Sequence, residues 1–157
     1  MTPINKNKVQ LTPQGYNELK KELKALREEN LPQVVERISM ARSLGDLSEN
    51  YEYQAAKEEH SNLVGRIEEL TGILNRSQVI KKSTSNTKVG VGHQVDIAIN
   101  GSSHTFTIVG EWEADPQDKK ISHKSPLGQA LIDKGVGDKV EVEAPAGKVT
   151  YTIKAIK

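Results

Sequence analysis

The 157-residue chain contains no cysteine, which excludes disulfides and thiolate zinc sites and fits a reducing compartment. It also has no apolar run approaching the roughly 20 residues of a membrane span. Its N-terminus, MTPINKNKVQL, lacks the apolar core of a signal peptide. A soluble cytoplasmic protein with no membrane partner is the expectation. Charge of one sign is missing as well: the net charge is +1. Residues 1–80 carry 11 Lys/Arg against 12 Asp/Glu, and residues 81–157 carry 11 against 9. Neither half has the basic bias of a protein held on duplex DNA by charge alone. Any affinity for nucleic acid must come mainly through another protein. Hydrophobic residues are scarce at 35% while charged residues reach 27%, a balance that suits a shape with much surface, such as a long helical pair.

What is present divides by period. Tyr53, Ala56, His60, Leu63, Ile67, Leu70 and Leu74 follow alternating three- and four-residue steps, the a/d seam of a coiled coil. Tyr16, Leu19, Leu23 and Leu26 begin a similar seam upstream, which resumes at Val34, Ile38 and Ala41. Pro32 lies between the two runs; it cannot donate to the Glu28 carbonyl, so a kink or short break is expected there. Thr12-Pro13 reads as an N-cap followed by proline at the first helical position. Only a few residues around Gly45 separate the two periodic segments, and short connections make neighbouring helices antiparallel. If helical throughout, residues 48–76 span about 43 Å at ~1.5 Å per residue.

After Arg76 the period changes. KKSTSNTKVGVG reads as a linker. Val95, Ile97 and Ile99 alternate, Asn100-Gly101 signals a hairpin, and Phe106 and Ile108 continue a strand. Ser125-Pro126 opens a short helix that Gly135 should close; Val140 and Val142, then Val149, Tyr151 and Ile153, alternate again. The fold class expected is α+β: an antiparallel two-helix coiled-coil hairpin over residues 1–80, followed by an antiparallel α+β domain over 83–157.

At the hairpin turn, over residues 45–50, stand two acids, Asp46 and Glu49. One reading is structural: Asp46 caps the second helix, Glu49 completes a capping box, and Glu52 complements the helix dipole. The other concerns their address. A long rod presenting paired carboxylates suits delivery of charge into a cavity of a larger partner, and hard cations such as Mg²⁺ accept one or two carboxylates while retaining waters. The histidines, at positions 60, 93, 104 and 123, have no metal-ligand helical spacing.

The stretch ARSLGDLSENYEYQAAKEE resembles the tip signature of the bacterial transcript-cleavage factors of the GreA/GreB family. LTPQGYNELKKEL resembles the start of that family's first helix, GRIEELTGIL with SQVI the end of its second, and ISHKSPLGQALIDKGVGDKVEVEAPAG its C-terminal domain. The resemblance covers the whole chain. It implies a coiled-coil hairpin followed by an FKBP-like domain. It implies bacterial RNA polymerase as partner, with the hairpin in the polymerase secondary channel and the globular domain at the channel rim. It further implies that the factor is no enzyme itself: its tip acids stimulate the polymerase's own cleavage of backtracked nascent RNA. No cofactor is expected on the chain alone, with Mg²⁺ shared in the complex, and a monomer is expected.

Carried over residue by residue, the resemblance makes Asp46 and Glu49 the catalytic and metal-binding acids. Arg42 and Lys57 become contacts to RNA phosphates near the nascent 3′ end. Gly45, Leu47, Ser48, Asn50 and Tyr53 become tip support, with Tyr53 also placed for core packing. Tyr51 departs from the family, where a small residue is commoner, which puts substrate preference in question. Acidic residues interspersed near the tip look like the GreA branch. Two other readings stand beside this one. A regulator could occupy the channel without stimulating cleavage. A prolyl isomerase follows only from the FKBP-like resemblance, and Phe106, Trp112 and Tyr151 are few aromatics for such a pocket.

Overall fold

A computed structural model describes residues 8–46 and 49–157 of the chain. Strand β1 (Val9–Leu11) leads into helix α1 (Pro13–Ala25), which passes through a π-helical segment (Leu26–Asn30) into α2 (Leu31–Ser43). After the turn comes α3 (Tyr51–Asn75), then β2 (Ser77–Val79), β3 (Gln94–Ile99) and β4 (Ser102–Val109). A 3₁₀ turn (Glu111–Glu113), β5 (Lys120–Ser122), α4 (Pro126–Leu131), β6 (Lys139–Ala144) and β7 (Gly147–Ile156) complete the chain. Two units result. One is helical, Asn17–Arg76; the other joins the described residues up to Tyr16 with Ser77–Lys157 and contains both sheets. The strand pair β1–β2, parallel and three residues per strand, therefore groups with the sheet-rich unit. Segments that short show no period of their own, so the expected boundary at residue 80, drawn from the change of period, left them with the hairpin.

In the helical unit the seam residues are the ones withdrawn from solvent. Leu19, Leu23, Val34 and Ala41 are buried on one arm, and Tyr53, Ala56 and Leu70 on the other, joined by Ile73. The arms run antiparallel, as two salt-bridged arginines show. Arg66 pairs with Glu22 at 2.9 Å, near the base, and Arg37 pairs with Glu52 at 2.9 Å and Glu59 at 2.5 Å, nearer the turn. Both guanidinium pKa values are raised, Arg37 by the hydrogen bonds it donates to Glu52 and then Glu59, Arg66 by those it donates to Glu22 and then Glu69.

The π segment has a cause in the spacing. From Leu26 the seam resumes at Val34, eight residues on, one more than a heptad. A π turn absorbs one extra residue and returns the following residues to the same face. The Leu31 amide duly donates to the Leu26 carbonyl, five residues back. Pro32, which has no amide proton to give, sits immediately after. The expected break is thus a change of helical pitch within a continuous arm.

The five-stranded sheet has the order β5-β4-β3-β7-β6 and is antiparallel except at one edge, where β5 runs parallel to β4. The edge strand Lys120–Ser122 is too short for alternation to reveal it. Asn100 and Gly101 both take positive φ, 47° and 82°, as the β3–β4 hairpin requires. Val95, Ile97, Ile108, Leu131 and Ile153 form the centre of the core, with Phe106, Leu127 and Tyr151 packed against it. Helix α4 is capped by Ser125, whose hydroxyl accepts from the Gly128 amide at 3.0 Å. It ends at Leu131, before the expected glycine: Asp133 takes φ 65° and turns the chain, its amide donating to Val89 O at 2.9 Å. Among the described residues, no helix is long and apolar enough to cross a membrane.

Candidate functional site

The hairpin turn begins where α2 stops. The Leu44 amide falls back to the Ala41 carbonyl at 3.2 Å, and Gly45 follows with φ 113°, a conformation that side chains resist. Asp46 and Glu49 both lie in the turn and both are exposed. Leu47 and Ser48, expected as tip support, lie outside the described residues.

The expected capping box is not what opens α3. The cap is Asn50, whose Oδ1 accepts from the Tyr53 amide at 3.1 Å. Its Nδ2 donates across the hairpin to the Ala41 carbonyl at 2.7 Å. Asn50 immediately precedes the first helical residue, Tyr51, whereas Asp46, the expected cap, lies four residues earlier. Glu52 does stand in the first turn of α3, yet it is also tied to Arg37 across the hairpin.

Arg42, in the last turn of α2, and Lys57, in α3, come together on one aromatic ring. The Arg42 guanidinium carbon is 5.8 Å from the Tyr53 ring centroid, and the Lys57 ammonium is 5.3 Å from it, both within cation–π range. Tyr53 is a buried seam residue, so it combines core packing with contact to both cations. Its dual part is visible in sequence only as an aromatic at a seam position four residues before a lysine. Three apolar side chains near the turn face solvent: Met40, Leu44 at 77% exposure and Tyr51 at 89%. The Asn50–Ala41 bridge and the Arg37–Glu52–Glu59 cluster were not legible in the sequence, because both join residues on different arms.

Among the described residues, no three His, Asp or Glu side chains form a group able to hold a metal. In the sheet-rich unit, a groove of about 570 Å³ is lined by residues such as Ile80, Val89, Val91, His123 and Ile132. No Phe, Tyr or Trp is among its described lining residues, which disfavours a prolyl isomerase pocket built on aromatics.

Comparison with known proteins agrees with the order of these elements. The family described as "Transcription elongation factor, N-terminal" matches residues 9–79, and "Transcription elongation factor, GreA/GreB, C-term" matches residues 84–157. Transcription elongation factor GreA of Thermotoga sp. (strain RQ2) is 44% identical over 151 residues, covering 95% of this chain and 97% of that protein. The GreA of Methylobacterium sp. (strain 4-46) is 44% identical over 154 residues, covering 96% and 98%. Among solved structures, the GreA factor homolog 1 protein of Thermus thermophilus is 29% identical, with 96% of this chain and 99% of that one covered, at a TM-score of 0.42. With both of its halves matched and relatives 44% identical over at least 95% of its length, the chain belongs to the GreA/GreB family of transcription elongation factors.

Proposed function

We propose that this chain acts on bacterial RNA polymerase by inserting its hairpin into the secondary channel, and that its tip stimulates cleavage of backtracked nascent RNA. The observation that carries this reading is the division of labour at the turn. Asn50 caps α3, so the end of the helix does not depend on Asp46 or Glu49 for its cap, and both acids stand exposed at the turn. The sheet-rich unit docks at the channel rim. The nuclease is the polymerase; the factor lends it side chains.

The donor set fits magnesium. Carboxylate oxygens are the hard ligands that Mg²⁺ takes, one or two at a time, with the rest of its shell left to water or to another donor. Asp46 and Glu49 would hold the ion together with acids of the polymerase. When bound there, the metal supplies Lewis-acid polarisation of the phosphodiester and a more acidic water. Asp46 and Glu49 bring negative charge to the reacting region and orient water through their oxygens. Arg42 and Lys57 bind the RNA backbone through charge-assisted contacts to phosphate. The test is addition of the protein to a stalled, backtracked elongation complex. Shortened RNA with an extendable 3′ end is the expected result. Polymerase binding with no shortening would favour a channel-occupying regulator instead.

A further inference from the structure

Of the arginines and lysines in the distal half of the hairpin, Arg37 is already committed, tied to Glu52 and Glu59. Arg42 and Lys57 differ: among the described residues neither takes part in an ion pair. What they share is the Tyr53 ring, with both charged groups within 6 Å of its centroid. They come from different helices, so only the assembled hairpin brings them together. Two cations gathered on one ring repel, and the negative π density of that ring offsets part of the repulsion. An anion reached by both would remove the rest.

The ring itself is held in place. Tyr53 is buried in the seam, and its amide is bonded to Asn50, the same side chain that is bonded to Ala41, the residue before Arg42. Arg42 and Tyr53 are thus registered by a single amide group. A long, exposed Arg or Lys side chain normally samples many rotamers, and ordering it on binding has an entropic cost. A fixed ring that already restrains both side chains lowers that cost at the moment an anion arrives.

We propose that Tyr53 is a positioning residue whose buried ring holds Arg42 and Lys57 as a two-cation clamp for the phosphodiester backbone of the RNA. This rests on the functional reading above. Tyr53 acts through the two cations and touches no reacting atom. Its contribution therefore belongs to binding of the RNA-containing complex and not to the rate once bound.

The experiment measures RNA cleavage in backtracked complexes as a function of factor concentration, at low and high salt, with the full chain. Tyr53→Leu keeps an apolar seam residue but removes the ring; it should raise the half-maximal concentration about fivefold at low salt, while the saturating rate is retained. The gap should narrow at high salt, where phosphate contacts are screened. Tyr53→Phe should restore the wild-type dose dependence. Should Tyr53→Leu fail to fold, position 53 is filled with phenylalanine bearing increasing numbers of fluorine atoms. These keep the shape and drain the negative face, so the half-maximal concentration should climb along the series. A flat series, or a fall in saturating rate with unchanged dose dependence, overturns the clamp. A wild-type chain that shortens no RNA sinks the functional reading and this proposal together, whereas a cleaving wild type with a flat series sinks this proposal alone.

Discussion

The Asn50 side chain ties the start of α3 to the end of α2: its Oδ1 accepts from the Tyr53 amide at 3.1 Å, and its Nδ2 donates to the Ala41 carbonyl at 2.7 Å. The two bonds can be separated by substitution. Asn50→Asp keeps a good capping oxygen but loses the donor to Ala41, whose carbonyl still accepts from Leu44. Asn50→Ala loses both. Loss of the cap costs ~1 kcal/mol and loss of one further hydrogen bond ~0.5–1.5 kcal/mol. Denaturant midpoints should therefore rank wild type above Asn50→Asp above Asn50→Ala. Equal midpoints for wild type and Asn50→Asp would mean that the bond to Ala41 contributes nothing, and equal midpoints for the two variants would mean the same of the cap.

A second prediction compares one substitution at two glycines. At Gly15, an added Cβ would lie 1.9 Å from the Glu113 carboxylate. That carboxylate is held by the Thr12 amide at 2.9 Å, the Gly110 amide at 3.1 Å and the Thr12 hydroxyl. Gly15→Ala must displace it, at a cost of ~1.5–3 kcal/mol, the scale of hydrogen bonds to a charged group. At Gly65, in α3, nothing lies within 4 Å of the new methyl. Gly65→Ala should stabilise by ~0.5–1 kcal/mol. Thermal melts of both variants should move in opposite directions.

The third prediction concerns pH. The Asp96 carboxyl is held below its ordinary value by a hydrogen bond from Lys157 and then by one from the Thr105 hydroxyl, which donates at 2.6 Å. A carboxylate with a depressed folded pKa contributes stability above its unfolded pKa and loses it as pH falls through the folded value. Asp96→Asn should therefore be less stable than wild type near pH 7, with the difference fading as pH drops below about 4. Chemical denaturation at both pH values measures this. A gap that stays constant into acid would show that the ion pair with Lys157 has no part in it.

The legibility of this molecule followed the range of its interactions. The hairpin seam, the Thr12 cap and the Asn100-Gly101 turn are local, and Tyr53, Leu70 and Val34 are buried as their spacing implied. The proline-linked break was visible as a defect, but its π-helical form depended on counting eight residues from Leu26 to Val34. Three-residue strands such as Lys120–Ser122 carry too few side chains to show a period. The cap of α3 was misplaced because Asp46, Glu49 and Asn50 are all plausible end residues, and only the hydrogen bond to Tyr53 decides among them. At the tip, the acids stood out by charge and address. The meeting of Arg42 with Lys57 over one ring did not, since it joins residues on two helices.

The central claim is that Asp46 and Glu49 serve chemistry on the polymerase, while the capping of α3 falls to Asn50. Asp46→Asn and Glu49→Gln preserve size while replacing a hard anionic oxygen with an amide, a poor ligand for Mg²⁺. The most direct measurement is RNA cleavage in backtracked complexes saturated with each variant, beside a melt of the free protein. Both variants should bind polymerase, melt close to wild type and fail to stimulate cleavage, with partial recovery as Mg²⁺ is raised. Cleavage by both variants at the wild-type rate would contradict the account.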